Sequence, residues 1–227
     1  FVPAYRADIM HQVDFVEDIA IAYGYENFTE EIPEVSTIGI EDPLAIKKRK
    51  ISELLAGLRL LECEAYNLTN EENQNEKTLN NINLVELENS VSKGYNVLRA
   101  WTLPNLLQIL EENKHYEYPQ NLFTIGRTFK FDKKMIENKK LSITLCDSNV
   151  NFTTIKQVLD YLMRMLDMEY QIEPCKYETF IEGRTGKIIV NKKCIGFLGE
   201  IHPQVLNNFS LEFPVAALEI NLNKLFD

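Results

Sequence analysis

Three features of this 227-residue sequence predict an α+β fold, an antiparallel sheet flanked by helices. Stretches with strand character outnumber helical ones, and neighbouring strands are mostly separated by short turns. The helical stretches carry apolar stripes that must be buried against another layer.

The first segment, VPAYRADIMHQVDFVEDIAIAYGYENF, has Val13, Val16, Ala20 and Tyr23 at helical spacing, and Gly24 supplies a stop. A helix over Gln12 to Tyr23 follows. From Glu30 to Glu41 the chain has Pro33, Gly39 and no helical period, so it reads as a linker, and the domain division is expected here, with residues 1–35 forming the tail of a small domain and 36–227 the main one. Asp42-Pro43 then opens a helix, Asp as N-cap and Pro at the first helical position. Leu44, Ile51, Leu54, Leu55, Leu58 and Leu61 give that helix one continuous apolar face.

Glu64 to Thr69 and Asn83 to Leu87 read as short strands, with Asn70 to Leu79 a polar connecting helix between them. The stretch ENSVSKGYNVLRAWTLPNLLQIL, residues 88–110, combines an extended polar run, an arginine and a proline-started helix. Strands are expected at Asn121 to Phe131 and at Lys139 to Cys146. Thr154 and Gln157 suggest a capping box for a helix carrying Ile155, Val158, Leu159, Leu162 and Leu166. The final part is strand-rich: Glu169 to Pro174, Gly186 to Asn191, Cys194 to Ile201 and Val215 to Leu222. Asn191-Lys192-Lys193 is a hairpin turn without the diagnostic glycine, and His202-Pro203 starts a short helix.

Composition narrows the function. Hydrophobic residues make up 45% of the chain, enough for a proper core, and no apolar run approaches the roughly 18 residues that span a bilayer. No basic region precedes an apolar one as in a secretory signal, so a cytoplasmic protein is expected. The opening FVPAYRAD reads as the middle of a longer polypeptide. Cys63, Cys146, Cys175 and Cys194 are widely separated, which favours reduced thiols over a zinc or redox site, and the sequons at Asn67, Asn151 and Asn208 then carry no meaning. A net charge of −10 argues against a stand-alone nucleic-acid binder. The basic run Lys47 to Lys50 reads as a solvated helix face, with RNA contact the lesser alternative.

Candidate chemistry is sparse. His11, His115 and His202 lie in unrelated contexts, and no Ser/His/Asp arrangement, GxSxG motif or glycine-rich phosphate loop is present. Asp14, Glu17 and Asp18 stand at i, i+3 and i+4 on one helix face, and Asp8 lies just upstream. Clustered carboxylates are either screened by water or neutralised by a cation, and Mg²⁺ suits their hard oxygens. Acidic residues are also simply favoured at helix starts.

Three segments in order, VPAYRADIMHQVDFVEDIAIAYGY, ENSVSKGYNVLRAWTLPNLL and GRTGKIIVNKKCIGFLGEIHPQVLNNF followed by VAALEIN, resemble the β subunit of phenylalanyl-tRNA synthetase in its archaeal and eukaryotic form. The resemblance covers nearly the whole chain. It implies a class II aminoacyl-tRNA synthetase catalytic-like fold, in a heterotetramer of two α and two β subunits that uses ATP to join phenylalanine to tRNA(Phe), with the active site on α. The residues agree with an inactive copy. Where the active subunit resembles Leu-Leu-Arg-Thr-His-Thr-Ser, this chain has Val97-Leu98-Arg99-Ala100-Trp101-Thr102-Leu103, and Trp101 and Leu103 are expected to present apolar surface where hydrogen bonding is required. The run Ala216 to Asn221 lacks the arginine with which class II enzymes bind ATP phosphate, a loss of several kcal/mol of electrostatic stabilisation. No catalytic residue is therefore assigned. The resemblance also implies that Asp8, Asp14, Glu17 and Asp18 are Mg²⁺ ligands at the border with α. The alternative is an independent nucleotide- or amino-acid-binding enzyme of the same fold. Arg99 discriminates: buried in an ion pair it is structural, free in a cleft it leaves ligand binding open.

Overall fold

The computed structural model describes every residue except Ser36, Thr37, Val91 and Asp227. It forms two units, Phe1–Glu41 and Asp42–Asp227. Among its described residues the first holds the α-helix α1 (Asp14–Tyr23), followed by a 3₁₀ turn, Tyr25–Asn27. Helix α1 begins two residues later than its apolar period predicts, because Asp14 turns its carboxylate back to accept the N–H groups of Met10 and His11 at 2.8 and 2.7 Å. Gly24, at φ 92°, ends it by returning its N–H to Ala20. Of the expected apolar face only Ala20 is buried, while Val13, Val16 and Tyr23 remain exposed.

The second unit opens with α2 (Pro43–Gly57), capped as expected by the Asp42 carboxylate, which accepts the Leu44 N–H at 3.1 Å. Four two-residue strands follow: β1 (Leu61–Glu62), β2 (Leu68–Thr69), β3 (Val85–Glu86) and β4 (Val97–Leu98). Helix α3 (Leu103–Glu112) leads into the long hairpin β5 (Gln120–Asp132) and β6 (Lys134–Cys146). Then come α4 (Phe152–Met165), β7 (Gln171–Pro174), β8 (Phe180–Val190), β9 (Lys193–Ile201), α5 (Pro203–Asn208), β10 (Val215–Asn221) and α6 (Leu222–Phe226).

The main sheet has seven strands in the order β1-β5-β6-β10-β9-β8-β7, and β2-β4-β3 form a small separate sheet. Every pairing of the main sheet is antiparallel except β1 with β5, so the sheet is mixed rather than purely antiparallel as expected. The two-residue β1 comes straight off α2 and runs alongside β5, a connection too short to carry a recognisable strand pattern. Both faces of the sheet are packed. Leu141, Ile143, Leu218 and Ile220 face a core with Ile51 and Leu55 of α2, Ile155 and Leu159 of α4, and Leu222 of α6. On the other face, Leu122, Cys146, Val215 and Ala217 meet Leu103, Leu106, Leu107 and Leu110 of α3 and Phe209 beside α5. The second core covers only part of its face, and that incomplete cover positions the site described below.

Three local expectations are corrected. The capping box of α4 is Asn151 with Thr154, not Thr154 with Gln157. The Asn151 side chain accepts the N–H groups of Thr153 and Thr154, while the Thr154 hydroxyl accepts that of Asn151, so the helix starts a turn earlier. The segment expected as a polar connecting helix contains a π-helical turn, Glu72–Glu76, with Asn73, Gln74 and Asn75 buried. The strand expected over Val215 to Leu222 ends at Asn221, and Leu222 begins α6. The β8–β9 turn did not need its glycine: Asn191 and Lys192 both adopt positive φ, 48° and 64°, which is the twist a two-residue hairpin requires.

Candidate functional site

The segment from Val97 to Leu103 crosses from the small sheet to α3, and two buried charged residues govern its surroundings. Arg99 is 3% exposed. Its Nε donates to the carbonyl of Arg127 at 2.8 Å, and its Nη1 to those of Ala65 at 3.1 Å and Tyr66 at 3.5 Å. Its own N–H reaches Asn67 and its carbonyl accepts from Phe129, both at 2.9 Å. Burial lowers the guanidinium pKa, with Glu219 and Glu64 partly opposing that. Gly126 makes the arrangement possible, since a Cβ there would lie 2.2 Å from Arg99 Nη2. Arg99 also lines a groove of about 590 Å³ with Lys48, Glu64, Tyr66 and Lys139. It is thus not free, and among the described residues it makes no ion pair; its donors clamp backbone carbonyls and join the 65–67 segment to β5.

Glu219, on β10, is the second buried charge, 2% exposed. One oxygen accepts the Lys140 ammonium at 2.6 Å. The other accepts the N–H groups of Thr102 at 2.8 Å and Leu103 at 3.2 Å, the Thr102 hydroxyl at 3.2 Å and the Ser142 hydroxyl at 2.9 Å. The carboxylate therefore sits at the amino end of α3, where unpaired N–H groups and the helix dipole both favour negative charge. Burial by itself pushes its pKa up, but Lys140, the Thr102 N–H and the Ser142 hydroxyl outweigh that and hold it below its ordinary value. Lys140 Nζ also reaches the Ala100 carbonyl at 3.3 Å.

Trp101 and Leu103 do not present apolar surface to a cleft. Both are buried in the second core. Trp101 packs edge-on against Phe197, ring centroids 6.2 Å apart, and donates Nε1–H to the Gln74 carbonyl at 3.2 Å. The Gln74 side-chain oxygen accepts from Ala100 and Trp101 N–H at 3.0 and 3.4 Å. The buried polar turn thus holds the Ala100-Trp101 backbone, a role its polar composition concealed.

The expected metal ligands lie in the first unit. Arg6 bonds both oxygens of Asp8, at 2.8 Å for the closest contact, and Asp18 at 3.1 Å. This arginine lowers the Asp8 pKa, the side-chain hydrogen bond being the largest cause. Asp14 is engaged with the Met10 and His11 N–H groups. Among the described residues no group of three or more His, Cys, Asp or Glu side chains is placed to hold an ion. Elsewhere, His11 accepts from Val13 N–H, His202 caps α5, and His115 stacks on Tyr116. Lys47 of the basic run lies over the Phe226 ring at 4.2 Å.

The geometry defines a sheet packed by helices on both faces, whose central polar position is filled from within. Residues 29–222 match the family model of the phenylalanyl tRNA synthetase beta chain CLM domain, and residues 1–25 that of the tRNA synthetase B5 domain. The chain belongs to the phenylalanyl-tRNA synthetase β-chain family. It is similar to the phenylalanine–tRNA ligase beta subunit of Pyrococcus abyssi, with 44% identity over 99% of this chain and 41% of the relative. For that of Thermococcus sibiricus the identity is 42%, with the same coverage. For that of Archaeoglobus fulgidus it is 37%, over 100% of this chain and 42% of the relative. The chain therefore spans about two fifths of the length of these curated relatives.

Gly126→Ala displaces the Arg99 guanidinium and lowers stability by about 2 kcal/mol in urea unfolding, as overpacking does, whereas the same change in an Arg99→Ala background costs far less. Glu219→Gln leaves the Lys140 ammonium without its counter-charge and lowers stability by about 3 kcal/mol at neutral pH. Because the folded-state pKa of Glu219 is depressed, its contribution is present above the ordinary carboxylate range and is lost as pH falls through the folded value. The gap between wild type and variant, read from urea midpoints against pH, therefore narrows in acid.

Proposed function

We propose that this chain is the catalytic-like but inactive part of a phenylalanine–tRNA ligase β subunit, with a class II synthetase fold. It supports an α subunit that uses ATP to attach phenylalanine to tRNA(Phe), in a cytoplasmic heterotetramer of two α and two β subunits. The observation that carries the reading is the Glu219 network: on the strand where an active class II site offers a cation to phosphate, this chain places a carboxylate and satisfies it internally with Lys140, Ser142 and the start of α3. Burial of Trp101 and Leu103 agrees, since both fill core volume where substrate contacts would be needed. Among the described residues no helix is long and apolar enough to cross a membrane. ATP–pyrophosphate exchange dependent on phenylalanine is expected from the full-length β protein only when α is present. Exchange by β without α would overturn the reading.

The acidic set enters the same proposal. Asp8, Asp14, Glu17 and Asp18 have the hard-oxygen chemistry of Mg²⁺ ligands. Arg6 already supplies positive charge to two of them, so an ion at the border with α must displace it. Calorimetric titration of the αβ complex with Mg²⁺ is expected to show tighter binding for Arg6→Ala and weaker binding for Glu17→Gln. Identical isotherms for wild type and both variants would remove the metal.

A further inference from the structure

Helix α3 turns its apolar side to the sheet and carries a polar stripe on the other. Asn105, Gln108, Ile109 and Glu112 stand at i, i+3, i+4 and i+7, opposite the buried Leu103, Leu106, Leu107 and Leu110. The stripe forms one wall of a pocket of about 360 Å³, within the range of small-ligand clefts. Its other walls come from residues 64–70, from Asn73 of the π-helical turn and from Tyr95. No member of the Glu219 network lines it.

The polar groups of the pocket are arranged so that acceptors predominate. Asn73 Nδ2 donates to Gln108 Oε1 at 3.2 Å, and Gln108 Nε2 donates in turn to Glu112 Oε1 at 2.9 Å. Asn70 Nδ2 reaches the Gly94 carbonyl at 3.5 Å, and its oxygen accepts the Asn73 N–H at 2.8 Å. This relay orients the amides and ends on a carboxylate. Asn105 stands outside it: the residue is 6% exposed, and its Oδ1 has no hydrogen-bond partner. A buried acceptor without a donor is unfavourable, and an N–H group brought by a ligand would relieve it.

Charge and shape point the same way. Among the described residues, Glu64 and Glu112 are the charged side chains that line the pocket. Arg99 feels part of the Glu64 charge, so Glu112 is the less compensated of the two. Tyr66 and Tyr95, 77% and 49% exposed, meet edge to face with ring centroids 6.0 Å apart and planes at 85°, which sets an aromatic corner beside the carboxylates. Donors, positive charge and a flat shape are therefore demanded together. A guanidinium has all three, with five N–H groups, no acceptor and a planar cation that stacks on aromatic rings, whereas an ammonium lacks the plane. Free arginine fits less well, because its α-carboxylate would meet the same acidic rim.

We propose that this pocket receives an arginine side chain presented by a partner polypeptide, its guanidinium donating to Asn105 Oδ1 and Glu112 and stacked in the Tyr66–Tyr95 corner. The proposal goes beyond the reading above and does not rest on it.

The test is saturation-transfer NMR on the full-length protein with arginine capped as its Nα-acetyl methylamide, the caps standing in for the partner chain. Transfer to the arginine side-chain protons is expected. Glu112→Lys should weaken binding about tenfold, since attraction becomes repulsion. Tyr66→Ala should weaken it about threefold through loss of the ring contact. Both side chains are exposed, so the thermal midpoints of the two variants should match wild type. The equally capped lysine and uncapped arginine should each bind more weakly than capped arginine. No saturation transfer, unchanged affinity in Glu112→Lys, or equal binding of capped lysine would overturn the guanidinium site. Equal binding of uncapped arginine would overturn the polypeptide source.

Discussion

The carboxylate of Glu219 is the contact on which the centre of the molecule depends. Burying an unpaired carboxylate is prohibitively unfavourable, so the surroundings have to supply donors, and they come from two other elements. Lys140 and Ser142 arrive on β6, and the backbone N–H groups of Thr102 and Leu103 arrive at the start of α3. A single side chain thereby fixes how the helix meets the sheet and which end of that face it covers.

Arg99 plays a complementary role on the other side of the same segment. It bonds neutral carbonyls rather than a carboxylate, so it contributes direction more than charge neutralisation, and it requires a residue without a side chain at Gly126. Between them, Arg99 and Glu219 hold the seven residues from Val97 to Leu103 at both ends. Gln74 holds the middle. The stretch is an internal strut.

Much of the framework was legible. The Asp42-Pro43 start of α2, the apolar stripe of α4 and the long runs of β5, β6, β9 and β10 carry period, caps or β-branched residues that act over a few neighbours. What was hidden depends on distant partners. Leu61 and Glu62 form a strand only because β5 is beside them, and Asn73, Gln74 and Asn75 read as solvent-facing because their amide partners lie elsewhere in the chain. The acidic positions of α1 were visible, but the pairing of Asp18 with Arg6 was not, since a salt bridge across twelve residues leaves no local pattern. The acceptor-lined pocket was likewise invisible: its members are scattered from residue 64 to residue 112 and meet only in the fold.

The β8–β9 hairpin shows how little slack such an arrangement has. Its turn is two residues long, and β9 carries one extra residue between Cys194 and Gly196, opposite Ile188 and Ile189. Both features are counting devices. Together they decide whether Phe197 looks toward Glu219 and Lys187 or toward the core on the opposite side, because a slip of one residue reverses every side chain of a strand. The length of this hairpin is therefore a heritable quantity in its own right: side chains on β9 can be exchanged one at a time, whereas a single insertion or deletion at its tip would exchange the two surfaces of the strand at once.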